Sequence, residues 1–402
     1  MNRTFVGIDI GCETHRLYAM DNFQKVLVQR ALTQSIREIS KFIEELKALS
    51  CDEVLVGMEG SGGYAAPLDR MLAAAGFKVV AINPRALDQF RKLVGQDRKD
   101  DSYDAYLICK YLIDIYRGQG RENNSQTIDK PGKSSLGNLR ILTRQLRTTK
   151  RDLTRTTHRL RKHVLGYFPD FFEVFPDLKT PTARILLKYF GCIGKAKRTR
   201  EKTIANTKLS SKRRIGPKAA AKLKALVSEI QYCDPLEESM WQVTQALVDQ
   251  AIWLTDKSEE LERQIDQVAQ ASKSIQLIAH EISGAGIQSA AELLAEIGDI
   301  RRFRDREKLT LYCGIGALNH SSGKSINAKK PTQVNHRTKG VICTIAMSAI
   351  LHDEESRKYY DKKRGEGKSH WHAIKCLSKY LLRRVFRLLN QLENKEVISQ
   401  AA

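Results

Sequence analysis

The first 120 residues alternate between the hydrophobic periodicities of strands and helices. Apolar and polar residues alternate over 4–10 and 16–31. A turn signal at Gly11 follows the first run, and another at Asp21-Asn22 divides the second, which predicts three consecutive antiparallel strands. The next predicted elements are a helix over 35–49, a strand over 53–58, a helix over 64–75, a strand over 78–82 and helices over 84–116. This alternation predicts an α/β domain over residues 1–120.

The pattern becomes helical after a polar linker at residues 118–137 that is rich in Gly, Asn, Ser and Pro. Two segments carry apolar residues at every seventh position, and such a repeat packs one helix against another along a seam. The repeats are Leu139, Leu146, Leu153 and Leu160, and then Leu247, Leu254, Leu261, Val268 and Ile275. They predict a coiled coil in a helical middle domain, residues 121–275, although ordinary amphipathic helices of a bundle would show the same repeat.

The last region, residues 276–395, is predicted to be a mainly α domain that ends in a basic amphipathic helix. It contains a helix-hairpin-helix-like motif around Gly284-Ala285-Gly286, a turn type whose backbone amides often meet phosphate. A Gly-bounded loop follows over 312–325, with serines at 321 and 322. By composition alone, a serine beside a glycine is typical of a turn.

The formal charge indicates the kind of partner, because the chain of 402 residues has 68 basic and 46 acidic residues. A net charge of +22 makes nucleic acid the first partner to consider. The eight cysteines form no C-x-x-C pair, so neither a zinc site nor a disulfide scaffold is indicated. The longest apolar run, over 341–351, is shorter than the roughly 18 residues of a membrane span. We therefore expect a cytoplasmic, nucleoid-associated protein without a membrane partner.

Two basic runs are candidate nucleic-acid contacts. In the first, arginines spaced 4, 3, 4 and 4 share one helix face: Arg140, Arg144, Arg147, Arg151 and Arg155. Nine basic residues accompany one acid between 138 and 163, and twelve accompany Glu201 between 195 and 224. Like charges at this spacing repel unless a phosphate backbone neutralises them, although a charge run is often only a solvated surface. Lys324, Lys329 and Lys330 continue the basic character beside the serines.

Four carboxylates fall at predicted strand ends and at a predicted helix start: Asp9, Glu59, Asp101 and Asp104. If the first strand lies beside the fourth, as in a ribonuclease H-like sheet, Asp9 and Glu59 end close together. Clustered carboxylates repel, so they favour a divalent cation between them, and oxygen-only ligands point to Mg²⁺. Two such ions commonly catalyse displacement at phosphorus by stabilising the attacking and leaving oxygens. Each acid also has an ordinary explanation, such as a strand-end turn or a favourable charge at a helix start.

Five motifs together resemble one family. The amino-terminal half contains "GIDIGCETH", "EGSGGY" and "RKDDSYDAYLI", and the carboxy-terminal half contains "ISGAGIQSAAELLAEIGDIRRF" and "YCGIGALNHSSGKS". In their order and spacing they resemble the bacterial insertion-sequence transposases called DEDD transposases. That family is related to pilin-gene invertases and includes bridge-RNA-guided serine recombinases.

The resemblance implies a Holliday-junction-resolvase-like amino-terminal domain, a coiled-coil linker and a carboxy-terminal transposase domain with an essential serine. The four acids would be catalytic Mg²⁺ ligands, with Asp100 as an alternative to Asp101. Ser322 would be the nucleophile that forms a phosphoserine link to DNA, with Ser321 as the alternative.

The same resemblance implies double-stranded DNA, both element ends and target, and a guide RNA as partners. It also implies a homodimer or homotetramer, because in the family the serine acts beside carboxylates of another subunit.

Three other functions compete with this interpretation. "GIDIG" also resembles the phosphate-binding start of actin-like sugar kinases, but the chain lacks their second Asp-Gly-rich phosphate loop. A nucleic-acid-binding protein with a decayed nuclease domain would keep the basic runs without the chemistry. A nuclease or Holliday-junction resolvase would cut with the carboxylates alone and would not need Ser322.

Overall fold

The computed structural model divides the chain into two compact units, Met1–Ser134 and Ser135–Ala402. It describes residues 2–49, 51–59, 63–82, 84–95, 100–117, 125–127, 135–211, 213–231, 235–322, 325–329, 331 and 334–401.

The first unit is built on a six-stranded sheet in the order β3-β2-β1-β4-β5-β6. Its strands are β1 (Arg3–Asp9), β2 (Thr14–Asp21), β3 (Val26–Thr33), β4 (Glu53–Glu59), β5 (Lys78–Ile82) and β6 (Ser125–Thr127). The first three are antiparallel neighbours, as predicted, and β1 pairs with β4 in parallel. This confirms the expected placing of the first strand beside the fourth. The pattern did not predict β6, which lies inside the polar linker.

Helices cover both faces of this sheet. They are α1 (Ile36–Lys47), α2 (Ala66–Ala74), α3 (Pro84–Leu93) and α4 (Asp101–Tyr116), and a 3₁₀ turn, Gly63–Ala65, precedes α2. One core joins Val6 and Ile8 of β1 to α1 and α2. The other joins Phe5 to α3 and α4. The mixed α/β prediction for this region is confirmed.

The second unit is mainly helical. Its helices before the last region are α5 (Ser135–Leu165), α6 (Phe171–Val174), α7 (Pro181–Phe190), α8 (Ile193–Arg198), α9 (Glu201–Asn206), α10 (Pro217–Glu229) and α11 (Glu237–Gln270). Helices α5 and α11 pack along each other in opposite directions, since Tyr167 contacts Thr244 and Lys150 pairs with Glu262. The heptads therefore do mark packed faces. Because α7 and α13 (Ile287–Ile297) also contact α11, the pair belongs to a larger bundle, and the coiled coil stays a prediction.

The last region adds further helices and a two-stranded hairpin. They are α12 (Lys273–Glu281), α13, α14 (Arg306–Tyr312), β7 (Leu318–Ser322), β8 (Ser325–Lys329), α15 (His336–His352), α16 (Glu354–Gly365) and α17 (His370–Ala401). One core draws on Leu139 of α5, Leu261 of α11 and Ile374 of α17. Residues from both sides of the predicted 275/276 boundary thus share this core, and the three-domain division stays a prediction. No helix of the described residues is long and apolar enough to cross a membrane.

The predicted helix-hairpin-helix-like turn joins α12 to α13, and it is packed against α15. Gly284 has a φ of +81°, and a Cβ there would lie 2.4 Å from the backbone nitrogen of Ala349. This close approach explains the glycine without a phosphate ligand.

Close backbone packing also holds α4 on the sheet, and it generates a stability prediction. A Cβ on Gly7 would lie 2.1 Å from the carbonyl oxygen of Ala105, whereas a Cβ on Gly137, inside α5, would meet nothing within 4 Å. We expect Gly7→Ala to lower the free energy of unfolding by about 3 kcal/mol, because α4 must move away from β1. Gly137→Ala should instead raise it by about 0.5–1 kcal/mol through helix propensity. Calorimetric unfolding checks both, and an unchanged melting temperature for Gly7→Ala would contradict the packing.

Candidate active site

Asp9 and Glu59 lie at the carboxyl ends of two neighbouring parallel strands. The last paired residues of β1 and β4 are Ile8 and Met58, so the two acids follow at equivalent positions. Alternation along each strand turns both side chains to the face that carries α4, because Gly7 and Gly57 lie against that helix. Both acids are half-buried. The sequence prediction that they meet at one edge of the sheet is therefore confirmed by the strand register.

Helix α4 runs against the direction of β1 and begins at the same edge. The thiol of Cys109 donates to the carbonyl oxygen of Phe5 at 3.1 Å, and the ring of Tyr116 lies near Phe5 and Arg3 at the opposite end. Since Ala105 lies over Gly7, the first turn of α4 lies beyond it, beside the carboxyl ends of the strands. The helix backbone thus brings Asp101 and Asp104 to the edge that holds Asp9 and Glu59.

Asp104 already has a cationic partner that the sequence analysis did not identify. Arg91, in the last turn of α3, forms an ion pair with the Asp104 carboxylate. The side chains of Arg91 and Asp104 are only 16% and 13% exposed, so each charge is largely shielded from water and neutralised by the other. Arg91 and Asp104 lie on consecutive helices, and only the packing of α3 against α4 reveals this pair.

The structure gives Asp100 a structural role. Its carboxylate caps α4 by accepting a hydrogen bond from the backbone N–H of Tyr103 at 2.8 Å. Asp101 is the first residue of the helix, and its side chain lies outside the described part of the molecule. The N-cap contact explains why two aspartates stand in succession, and Asp101 remains the predicted ligand.

The described carboxylates match the donor chemistry of Mg²⁺ but do not complete a site by themselves. Within the described residues, no three or more His, Cys, Asp or Glu side chains are grouped closely enough to hold one metal ion. Asp9 and Glu59 offer two oxygen ligands from adjacent strands, while Asp104 is held by Arg91. The described residues therefore provide two carboxylate ligands for a metal ion. A third would have to come from Asp101, or from Asp104 after its release from Arg91.

A second arginine near this edge was also missed. Arg16 pairs directly with Asp9 across the antiparallel β1–β2 register, so both point to the same face, and Arg16 is exposed. The glycines that follow Glu59 at positions 60 and 62 lie outside the described residues. Gly63, with a φ of +56°, opens the 3₁₀ turn before α2.

The predicted nucleophile lies in the β7–β8 hairpin of the second unit. Ser321 pairs with Ile326 and Ser322 pairs with Ser325, so the backbone places both serines near the end of β7. The side chains of Ser321, Ser322 and Lys329 lie outside the described part of the molecule, as do Lys324 and Lys330 entirely. Their predicted roles stay predictions.

Three of the five stripe arginines on α5 are engaged within the chain, which the sequence analysis did not foresee. Arg140 donates to the carbonyl oxygen of Ala295 at 2.6 Å, and Arg147 pairs with Glu292 at 3.0 Å. Arg144 binds both carboxylate oxygens of Glu296, at 2.6 and 2.9 Å. Helix α13 therefore supplies counter-charges that explain this part of the run without nucleic acid. Arg151 and Arg155 are exposed, and their contact with nucleic acid stays a prediction.

Glu296 is the centre of a polar network that joins four helices. Its side chain is 1% exposed, and it also accepts a hydrogen bond from Asn335, the N-cap of α15, at 2.9 Å. Asn335 in turn contacts the hydroxyl of Tyr312 on α14. Burial pushes the pKa of Glu296 upward, but the hydrogen bonds from Arg144 and Asn335 outweigh it and hold that pKa below its ordinary value. Burial does raise the pKa of neighbouring Glu292.

This network predicts unequal costs for two arginines of the same stripe. Arg144→Ala leaves a buried carboxylate without its bidentate partner, and we expect it to lower the free energy of unfolding by about 3 kcal/mol. Arg155→Ala removes only an exposed pair with Asp152, 3.5 Å apart, and should cost less than about 0.5 kcal/mol. Thermal and urea unfolding of the two variants measure the difference. An equal loss of unfolding free energy in both variants would show that burial of the Glu296 carboxylate does not depend on its pairing with Arg144.

Two family models match separate parts of the chain. The model described as "DEDD_Tnp_IS110: Transposase" matches residues 6–169, and the one described as "Transposase IS116/IS110/IS902 family" matches residues 277–361. The first match contains Asp9, Glu59, Asp101 and Asp104, and the second contains Ser321 and Ser322.

Similar proteins extend along the whole chain. An uncharacterized 44.8 kDa protein of insertion element IS116 from Streptomyces clavuligerus is 25% identical, with 100% of this chain and 97% of that protein covered. An uncharacterized 43.6 kDa protein of insertion element IS110 from Streptomyces coelicolor is 24% identical, with 96% and 93% covered. A solved structure, T. thermophilus RuvC in complex with Holliday junction substrate, shows 17% identity and a TM-score of 0.23, with 32% of this chain and 99% of that chain covered. That structural similarity is too low to support any inference.

Proposed function

Because the chain belongs to the IS110/IS116 family of DEDD transposases, enzymes that cleave and join DNA, we propose that it exchanges DNA strands through a phosphoserine intermediate. The observation that carries the proposal is the parallel register that sets Asp9 and Glu59 side by side at the edge where α4 begins. The second family match, over residues 277–361, also supports the proposal, because it includes the β7–β8 hairpin that carries Ser321 and Ser322.

In the proposed reaction the Ser322 oxygen attacks a phosphodiester of the DNA. A serine–phosphate bond forms as a phosphate–sugar bond breaks, the serine loses its proton, and the departing sugar oxygen gains one. The ester bond energy is conserved, so a second sugar hydroxyl can attack the phosphoserine and join a new strand. Bound Mg²⁺ would neutralise charge on the attacked phosphate and favour ionisation of the attacking hydroxyl.

The chain's own residues have separate roles in this proposal. Asp9 and Glu59 form a fixed acidic platform, and Asp101 and Asp104 add carboxylates from the first turn of α4. Asp104 must exchange its bond with Arg91 to act as a ligand, so Arg91 would neutralise Asp104 until DNA and metal bind. Arg151 and Arg155, together with Lys324, Lys329 and Lys330, would contact the DNA backbone, which positions DNA without reading its sequence.

The proposal also includes the partners that the family resemblance implies. These are the element ends and target as double-stranded DNA, a structured guide RNA, and a dimer or tetramer of the chain. The carboxylates and Ser322 belong to different compact units, which is compatible with a site shared between subunits.

Trapping the covalent intermediate tests the mechanism. Incubation with element-end DNA in Mg²⁺ should give a denaturation-resistant protein–DNA adduct, which peptide mass spectrometry should map to Ser322. Ser322→Ala should abolish the adduct and strand exchange, and Asp9→Asn should do the same because the acidic platform is lost. Ser325→Ala, the matched control on the paired strand, should retain the adduct.

Two results would contradict the mechanism. An adduct on a residue other than Ser321 or Ser322 would assign the nucleophile elsewhere. Unchanged DNA cleavage by a variant with both Ser321→Ala and Ser322→Ala would favour a nuclease or resolvase that cuts with carboxylates alone.

A further inference from the structure

The second basic run, over 195–224, lies in a part of the second unit with its own hydrophobic core. Helices α6 to α10 enclose Phe168, Phe171, Leu187 and Leu223, among other buried residues. A few cations of the run contact backbone carbonyl oxygens or an aromatic ring of this part of the chain. Lys224 donates to three carbonyl oxygens at the end of α8, including that of Lys197 at 2.8 Å, and Lys195 lies over the Trp241 ring at 4.3 Å. These contacts give Lys195 and Lys224 a structural role.

The remaining described cations of the run point to solvent. They are Arg198, Arg200, Lys202, Lys208, Arg213, Arg214, Lys218 and Lys222. None of them forms an ion pair with a carboxylate among the described residues, unlike Arg144 and Arg147, which α13 neutralises. The structure thus distinguishes two basic runs that look alike in sequence, one partly neutralised by carboxylates of α13 and one whose exposed cations have no carboxylate partner among the described residues.

The turn between α9 and α10 concentrates these unmatched charges. Ile215 donates to the carbonyl oxygen of Thr207 at 3.0 Å, and Lys208 and Arg214 form an antiparallel bridge that sets two cations side by side. Lys218 and Lys222 follow four residues apart on one exposed face of α10. We call these four residues and Arg213 the basic hairpin. Like charges held this close repel, so the arrangement favours a partner with closely spaced negative charges.

We propose that the basic hairpin binds the phosphate backbone of double-stranded DNA, as a site separate from the carboxylates and from the serine hairpin. A nucleic-acid backbone supplies regularly spaced anions, whereas single-stranded binding sites add exposed aromatic rings on which bases stack. No large exposed hydrophobic or aromatic side chain is found among the described residues of α8 to α10. The surface therefore fits a duplex held by its phosphates, without sequence readout. This inference deepens the proposed function, and it rests on double-stranded DNA being the substrate but not on the phosphoserine mechanism.

The test compares two triple variants of the full chain with equal loss of charge. Arg213→Gln, Lys218→Gln and Lys222→Gln together remove three cations of the hairpin without touching the contact of Arg214 with Asn206. Lys25→Gln, Lys41→Gln and Lys47→Gln remove three exposed cations of the first unit. Binding of a 30-bp duplex and of a single strand of equal length is measured across salt concentrations in EDTA, so that metal-dependent chemistry plays no part.

The hairpin variant should reduce the slope of log affinity against log salt by about 2.7, since each lost phosphate contact contributes about 0.9. The control variant should change it by less than about 1, and both should melt as the wild type does. The proposal is overturned if the two variants bind the duplex alike, or if the hairpin variant loses as much affinity for the single strand as for the duplex. Because no cleavage is measured, failure of this test leaves the adduct experiment unaffected.

Discussion

The candidate site depends on one constraint, the close packing of α4 against two parallel strands whose facing residues have no side chains. Gly7 and Gly57 stand in β1 and β4 at positions where a Cβ would collide with α4. Their absence of side chains lets the helix approach the sheet, and the parallel register then fixes Asp9 beside Glu59. The geometry of the carboxylates is thus set by backbone packing before any ligand is considered.

Part of the second unit is held together by a different interaction, the burial of the Glu296 carboxylate. Glu296 joins α5, α13, α14 and α15 through Arg144, Asn335 and Tyr312. A buried charge is costly unless it is fully paired, so this network favours one arrangement of the four helices. It also changes the meaning of the arginine stripe on α5, part of which neutralises the chain's own acids rather than a ligand.

Local patterns were enough to predict most elements of the first unit. Residues 35–49 were predicted as a helix, and α1 begins after the N-cap Ser35, whose side chain accepts a hydrogen bond from the N–H of Glu38. The three-residue strand β6 was missed, because a strand that short has no periodicity and depends on pairing with β5. The heptads predicted packed helices, but a repeat cannot show that α11 also contacts α7 and α13.

The same limit applies to the sites. Asp9 and Glu59 both end predicted strands, and they could be predicted to meet on the condition that the first strand lies beside the fourth, as in a ribonuclease H-like sheet. Arg91 beside Asp104 could not be predicted, because only the packing of α3 against α4 brings the two side chains together. Glu292 and Glu296 could not be predicted beside the arginines, because those pairs join residues far apart in sequence. Charge counts also could not separate the two basic runs, since only packing shows which cations have partners.

The most direct measurement is a double-mutant cycle on metal binding by the full chain, with Mn²⁺ as a spectroscopic probe. If Asp9 and Glu59 hold the same ion, Asp9→Asn and Glu59→Gln should each weaken binding at least about tenfold, and the double variant should be little weaker than either single variant. Losses that multiply in the double variant, or singles that bind Mn²⁺ like the wild type, would contradict a shared site at this edge of the sheet.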